Sequence, residues 1–222
     1  MKTTNRTLNH IKKATVTLIA AGITFMGLQS FAPHNGDHGA TAPNSATYRT
    51  LNRDMQKLWA DHMQWTYSTV DAFFNNPKSL DASLARLLQN QKDIGNAVVP
   101  FYGQAGGDQL AKLLTEHITG AVPVLQAAKA GDNDALKKAL DDWYANAQQI
   151  ADFLSTANPH WGKKDMREMM KMHIDQTTSY AVDLLKGDYS KAIQTYDEAN
   201  SHMVMMADML TGGLAKQFPD KF

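Results

Sequence analysis

The sequence predicts an all-α domain, a six-helix bundle built from three tandem antiparallel helical hairpins, on three observations. Histidines at positions 62, 117 and 173 recur at spacings of 55 and 56 residues (117 − 62 and 173 − 117). Large apolar residues stand at −7, −4 and −3 from each of them (Met55, Leu58, Trp59; Leu110, Leu113, Leu114; Met166, Met169, Met170), the spacing of one helix face turned toward a core. No segment of any length alternates apolar and polar residues with a period of two, so no sheet is expected.

The repeat extends beyond the histidines. At an offset of 56, Ile118 falls on Ile174, Gly131 on Gly187, Asp132 on Asp188, and the "ADFL" that starts at Ala151 on the "ADML" that starts at Ala207. The first copy keeps Met55, Leu58, Trp59, His62 and Met63 at an offset of 55, with Asn76 and Pro77 where the others have Gly-Asp. Self-similarity at a fixed period is the mark of a repeated supersecondary unit.

Taken in order, residues 1–32 read as a signal peptide. Lys2, Arg6, Lys12 and Lys13 precede an apolar run from Ala14 to Leu28, and Ser30 and Ala32 suit the −3 and −1 positions of a signal peptidase site. Pro33 disfavours cleavage there, which leaves an N-terminal membrane anchor as the alternative, although the run is short for the roughly 20 residues a span needs. Residues 33–46, rich in Pro, Gly, Asn and Ser, read as a flexible linker with His34 and His38 as solvated side chains, and residues 47–222 as the helical-bundle domain. The expected location is extracytoplasmic, secreted or tethered in the cell envelope.

Within the domain, the first helix is expected over about 48–74, with Leu51, Met55, Leu58, His62, Trp65, Thr69 and Phe73 on one face and "NNP" as its stop. The second runs over about 80–99 and meets Pro100, which lacks an N–H and ordinarily ends or kinks a helix. "FYGQAGG" marks the joint to the next hairpin; with no preceding strand and no Lys-Ser/Thr pair it is not a phosphate loop. A third helix over about 108–130 carries Pro123 and an expected kink; a fourth over about 134–156 is closed by "ANP". The fifth, about 164–186, ends at Gly187, and the sixth, about 189–217, ends near "TGG" with Pro219 beyond.

Composition narrows the function. Lys plus Arg equals Asp plus Glu at 22 each and no basic block follows the leader, so nucleic acid is not an expected partner. With no cysteine, an exported chain has neither disulfides nor thiolate ligands, and no cysteine nucleophile or lipid anchor. Membrane contact is expected only through an uncleaved N-terminal segment.

In an antiparallel hairpin, residues equally far from the turn lie at about the same height. Reflection through the turns pairs His173 with His202, His117 with Asn146 and His62 with Gln91, all on apolar faces. At about 1.5 Å per residue this polar belt lies roughly 21 Å from the hairpin tips. Imidazoles from separate helices suit zinc, copper or iron, so His62, His117 and His173, with His202 as a fourth, are the expected metal ligands. Asp61, Glu116 and Asp175 are placed to orient them, and Glu198 precedes His202 by one turn. An open position on such a metal activates water in hydrolytic sites, yet no substrate pocket is legible. Neither the ExxH pair of di-iron bundles nor HExxH occurs, no Ser-His-acid order can be singled out, and no nucleotide or flavin is expected. The alternative is a structural or interaction bundle in which the belt is a hydrogen-bond network. The methionines Met166, Met169, Met170, Met172, Met203, Met205, Met206 and Met209 read first as adaptable core filling, and second, at Met205 and Met209, as thioethers beside His202 suited to Cu(I).

Several words of the sequence, "LWADHMQWT", "NQKDIGNAVVPFYG", "LLTEHI", "AAKAGD", "WYANA", "NPHW" and "MMADML" followed by "KQFP", resemble a family of small all-helical bacterial proteins, mostly Gram-positive. The likeness spans nearly all of residues 51–219. Members carry enzyme names such as glycosyltransferase or acetylglutamate kinase, which require a sheet and nucleotide loops that this sequence lacks. The resemblance implies an all-α fold and the histidines of "ADH", "TEH" and "KMH"; His202 is less typical of it, and it implies no substrate.

Overall fold

Five α-helices occupy residues 45–222, the part of the chain that the computed structural model describes: α1 (Ala46–Asn75), α2 (Leu80–Ala130), α3 (Asn133–Ala157), α4 (Lys163–Lys186) and α5 (Tyr189–Gln217). Short 3-10 turns at Pro77–Ser79 and Pro219–Lys221 complete them, and no strand occurs among the described residues. The leader expected over 1–32 and the linker over 33–46 lie outside these residues except for Ser45 and Ala46. Those two are not linker: the Ser45 hydroxyl accepts the Tyr48 N–H at 3.0 Å, so Ser45 caps α1 and Ala46 begins it.

The turns follow from local chemistry that the sequence repeats. Gly131 (φ 69°) and Gly187 (φ 75°) adopt the left-handed conformation that ends a helix at low cost only for glycine. The next N–H reaches back one turn, Asp132 to the Ala127 carbonyl at 3.1 Å and Asp188 to Asp183 at 2.9 Å, satisfying carbonyls the helix end leaves free. The same two aspartates then cap the following helices, accepting from Ala135 N–H at 3.0 Å and Lys191 N–H at 3.2 Å. Each Gly-Asp pair therefore closes one helix and opens the next.

The segments 80–99 and 108–130 meet at a break within one helical run, α2, with no intervening loop, and Pro100 and Pro123 both sit inside it. The only non-helical backbone within α2 is at Gly103 (φ 71°, ψ 174°), a region open essentially to glycine. The chain reverses there so sharply that a Cβ on Gly95 would lie 2.6 Å from the Gly107 carbonyl oxygen. Pro100 loosens the helix by removing one hydrogen bond, but only glycine, three residues later, adopts the torsions of the break.

Each helix packs on its neighbours in the chain, and α5 returns to α1, so the five elements close on themselves. The three turns share one end: Lys129 beside the second turn donates to the Phe73 carbonyl beside the first at 3.2 Å, and Val70, Leu125, Tyr180, Leu184 and Ala192 form a small apolar cluster there. At the other end Phe101 stacks on Phe222 (5.9 Å), and Trp161 is buried with its indole N–H on the Leu210 carbonyl (3.2 Å). The main core between them contains Met55, Trp59, Leu114, Ile150, Met166, Met170 and Met206. No described helix is long and apolar enough to cross a membrane.

Candidate functional site: a buried histidine layer

Four helices each bring one histidine to the middle of the core. His62 on α1, His117 on α2, His173 on α4 and His202 on α5 are only 2–3% exposed. The His173 ring lies between two others, with ring centres 5.5 Å from His62 and 5.6 Å from His117. Their helix stripes dictate this placement, since the apolar residues at −7, −4 and −3 can enter the core only if the histidine does as well.

Two of the three pairings expected from reflection are direct contacts. Gln91 Nε2 lies 3.2 Å from His62 Nδ1, and Asn146 Oδ1 lies 2.8 Å from His117 Nδ1. The third differs: His202 Nε2 bonds the Met169 carbonyl at 3.0 Å, one turn before His173. These contacts fix where the ring protons sit. Asn146 Nδ2 donates to the Leu113 carbonyl (3.3 Å), so its oxygen faces His117, whose Nδ1–H must donate and whose Nε2 carries the lone pair. Gln91 Nε2 donates to the Leu87 carbonyl (2.8 Å), so its amide group rather than its oxygen faces His62, whose Nδ1 accepts. His202 donates through Nε2, leaving its lone pair on Nδ1.

Burial holds the rings uncharged. It pushes His62 from the ordinary 6.5 down to about 3, with the neighbouring His117 lowering it further, and pushes His117 down to about 4 against the opposing bond to Asn146. His173 is driven well below 6.5 by burial and then by its three histidine neighbours; burial lowers His202 as well. At neutral pH all four are neutral imidazoles, the form that binds metals.

The layer does not satisfy itself. Gln91 Oε1, His117 Nε2 and His173 Nδ1 are buried without a hydrogen-bond partner, and the Trp59 indole N–H and Thr66 hydroxyl beside them are also unpaired. Trp143 grips His117 twice, donating to its carbonyl at 2.9 Å and stacking on its ring at 5.1 Å. Trp59 packs edge-on against His62 at 5.8 Å. On the side of Trp59 away from the turns, a void lined by Met55, Trp59, Ile94, Leu114, Ile150 and Trp161 has room for about one water at most.

The carboxylates expected to orient the histidines do not reach them. Asp61 pairs with Lys57 at 2.5 Å, Glu116 with Lys112 at 2.6 Å and Asp175 with Lys171 at 2.6 Å, all along the outer face, and Glu198 accepts from Gln194 at 3.3 Å. A residue one or two positions from an inward histidine is turned about 100–200° around the helix, so adjacency in sequence points it elsewhere. Among the described residues no three His, Asp or Glu side chains are already gathered to hold a metal ion. Met166, Met170, Met203 and Met206 fill the core as expected of methionine, while Met205 is 56% exposed.

One residue of the layer went unforeseen. Asn90 is fully buried and donates to the Leu58 carbonyl at 3.0 Å, joining α2 to the turn of α1 that precedes His62. Its signal was present, because it stands three residues after Leu87 and four before Ile94 on the apolar stripe. Comparison with known proteins finds no matching family model, no similar curated protein and no similar solved structure.

Proposed function

We propose that this is an extracytoplasmic metal-binding helical bundle that takes a transition metal ion, zinc, copper or iron, at the mid-bundle layer of His62, His117, His173 and His202. The observation that carries the reading is the pair of buried, unpaired, neutral imidazole nitrogens, His117 Nε2 and His173 Nδ1. Leaving such groups without a partner costs about 1–3 kcal/mol each, and a bound ion removes that cost. The spacing fits: a metal about 2.0–2.1 Å from each of two or three imidazole nitrogens holds ring centres roughly 5–5.5 Å apart, close to the 5.5 and 5.6 Å between His173 and its neighbours. The bundle reads as three tandem hairpins, with the Gly103 break dividing the first from the second. The leader pattern of residues 1–32 and the absence of cysteine support a location outside the cytoplasm. Fractionation of cells carrying a tagged chain checks that location, and full-length protein soluble in the cytosol argues against it.

A second reading has its own support. The contacts of Gln91 with His62 and of Asn146 with His117 are those of a hydrogen-bond network that fixes helix register in a structural or interaction bundle. Elemental analysis of the purified full chain, with melts of wild type and of His62→Ala, His117→Ala and His173→Ala with and without zinc, copper or iron, separates the two. A metal that binds the native state adds about 2.7 kcal/mol at a hundredfold excess over its dissociation constant. No stoichiometric metal, and no shift of the wild-type melt beyond that of a variant carrying all three substitutions, leaves the network reading.

A further inference from the structure

Independently of the histidine layer, we infer that Tyr67 and Tyr196 form an oxidative cross-linking site, at which a peroxide-driven oxidant joins the two phenol rings by a carbon–carbon bond and ties the first helix of the bundle to the last.

The site lies on the seam where α5 returns to α1. Toward one end of that seam Gln56 donates to Asp208 at 2.6 Å; toward the turns Tyr67 packs edge-on against Tyr196, with ring centres 5.1 Å apart and ring planes at 69°. Edge-on packing at this separation brings ring carbons to van der Waals contact, about 3.5–4.0 Å. Both residues are half-buried, so both rings are in part open to solvent and to an oxidant. Tyr180 supplies a third ring, 5.0 Å from Tyr67, but it is buried with its hydroxyl donating to the Tyr67 carbonyl at 3.4 Å. The other described tyrosines stand elsewhere: Tyr48 packs on Phe222, Tyr102 on Trp161 and Phe218, Tyr144 donates to Asp175, and Tyr189 is exposed.

The reaction needs two one-electron oxidations at neighbouring phenols. Each phenol gives up one electron and its hydroxyl proton, leaving a radical whose spin spreads to the carbons ortho to the oxygen. The two radicals couple at those carbons, and the two displaced ring hydrogens pass to the oxygens and restore both phenols. Hydrogen peroxide, acting through a haem peroxidase, takes up the two electrons and two protons and becomes two waters, so the chain loses two hydrogens in all. Tyr67 and Tyr196 can pass their protons to water at the surface, whereas Tyr180 is sealed from it. The Tyr180 phenol is pushed far above the ordinary 10 by burial, then by Tyr67 and Asp71, and Tyr196 is raised by burial, then by Asp197 and Tyr67. The carboxylate charge felt at these rings also favours withdrawal of an electron from them. A chain without cysteine has no disulfide to hold the seam in an oxidising surrounding. A bond between Tyr67 and Tyr196 closes a loop of 129 positions (196 − 67), the long-loop case in which a cross-link constrains the unfolded chain most.

The test treats the purified full chain, at high dilution, with hydrogen peroxide and a haem peroxidase, and in parallel with a small photo-oxidant that needs no docking. Dityrosine fluorescence, an intact mass lower by two hydrogens and a peptide map joining Tyr67 to Tyr196 within one chain are expected. Tyr67→Phe and Tyr196→Phe, which keep the ring packing, should each abolish the linkage, and Tyr180→Phe and Tyr189→Phe should leave it in place. The linked chain should melt on the order of 10 °C above identically treated Tyr67→Phe. Circular dichroism confirms that each variant keeps its helix content; should one lose it, the peptide map of the wild-type chain decides. No linkage with either oxidant overturns the proposal, as does linkage confined to Tyr189 between two chains. A Tyr67–Tyr180 bond in place of Tyr67–Tyr196 overturns the assignment to the seam, and a linked chain that melts no higher than the treated variant overturns its role in holding α1 to α5.

Discussion

At the scale of single residues, the histidines make stability depend on acid in a defined direction. Folded His62 and His117 titrate at about 3 and about 4, while the unfolded chain titrates near the ordinary 6.5. Between these values the unfolded state holds more protons, so stability is fully present above pH 6.5 and is lost as the pH falls toward 4. Each group contributes a slope of about 1.4 kcal/mol per pH unit, so urea denaturation should show stability level near pH 7–8 and falling around pH 5 by roughly 3 kcal/mol per unit from His62 and His117 together, more steeply with the lowered His173 and His202 added. His117→Gln should remove one group's share, about 1.4 kcal/mol per unit; a level profile down to pH 4 would show that the rings are not buried as neutral imidazoles. Asn146 is the other sensitive position. Asn146→Ala leaves the His117 Nδ1–H without its acceptor and should cost about 1–3 kcal/mol in the same denaturation experiment.

At the scale of elements, the decisive feature is the break in α2. Gly103→Ala forces a side chain into torsions open essentially to glycine and should destabilise by about 1–3 kcal/mol. The comparable Gly131→Ala and Gly187→Ala, in the milder left-handed region, should cost about 1 kcal/mol each. Pro100→Ala restores one backbone donor without touching Gly103, and should leave the melting temperature unchanged or slightly raised. A large loss at Pro100 with none at Gly103 would mean that proline, not glycine, makes the reversal. Gly95→Ala tests the packing of the two arms, since its Cβ would meet backbone at 2.6 Å and backbone has no rotamer to yield.

At the scale of the whole bundle, the return of α5 to α1 couples every helix to two neighbours. Trp59, Trp143 and Trp161, buried on α1, on α3 and before α4, report on different parts of that ring. Urea unfolding followed by tryptophan fluorescence and by far-ultraviolet circular dichroism should give coincident single transitions. Separated midpoints would show that the hairpins unfold as independent units, as the repeated sequence taken alone would suggest.

Much of this was legible in the sequence because it is local. Stripe periodicity sets which face of a helix is buried, Gly-Asp sets where α2 and α4 end and α3 and α5 begin, and a fixed rise per residue carries the height of His62 and His117 across a turn onto Gln91 and Asn146. What only the tertiary structure decided involves distant residues or competing local rules. Pro100 and Gly103 are both helix breakers, and only the close approach of Gly95 to Gly107 shows that the chain reverses at the glycine. Asp61, Glu116 and Asp175 stand within two residues of the histidines, yet helix rotation sends them to lysines on the outer face. The approach of His173 to both His62 and His117 depends on how the helices close on one another, which no local pattern specifies. So does the identity of the nitrogens left unpaired, because hydrogen bonds formed by packing, rather than residue type, place the ring protons.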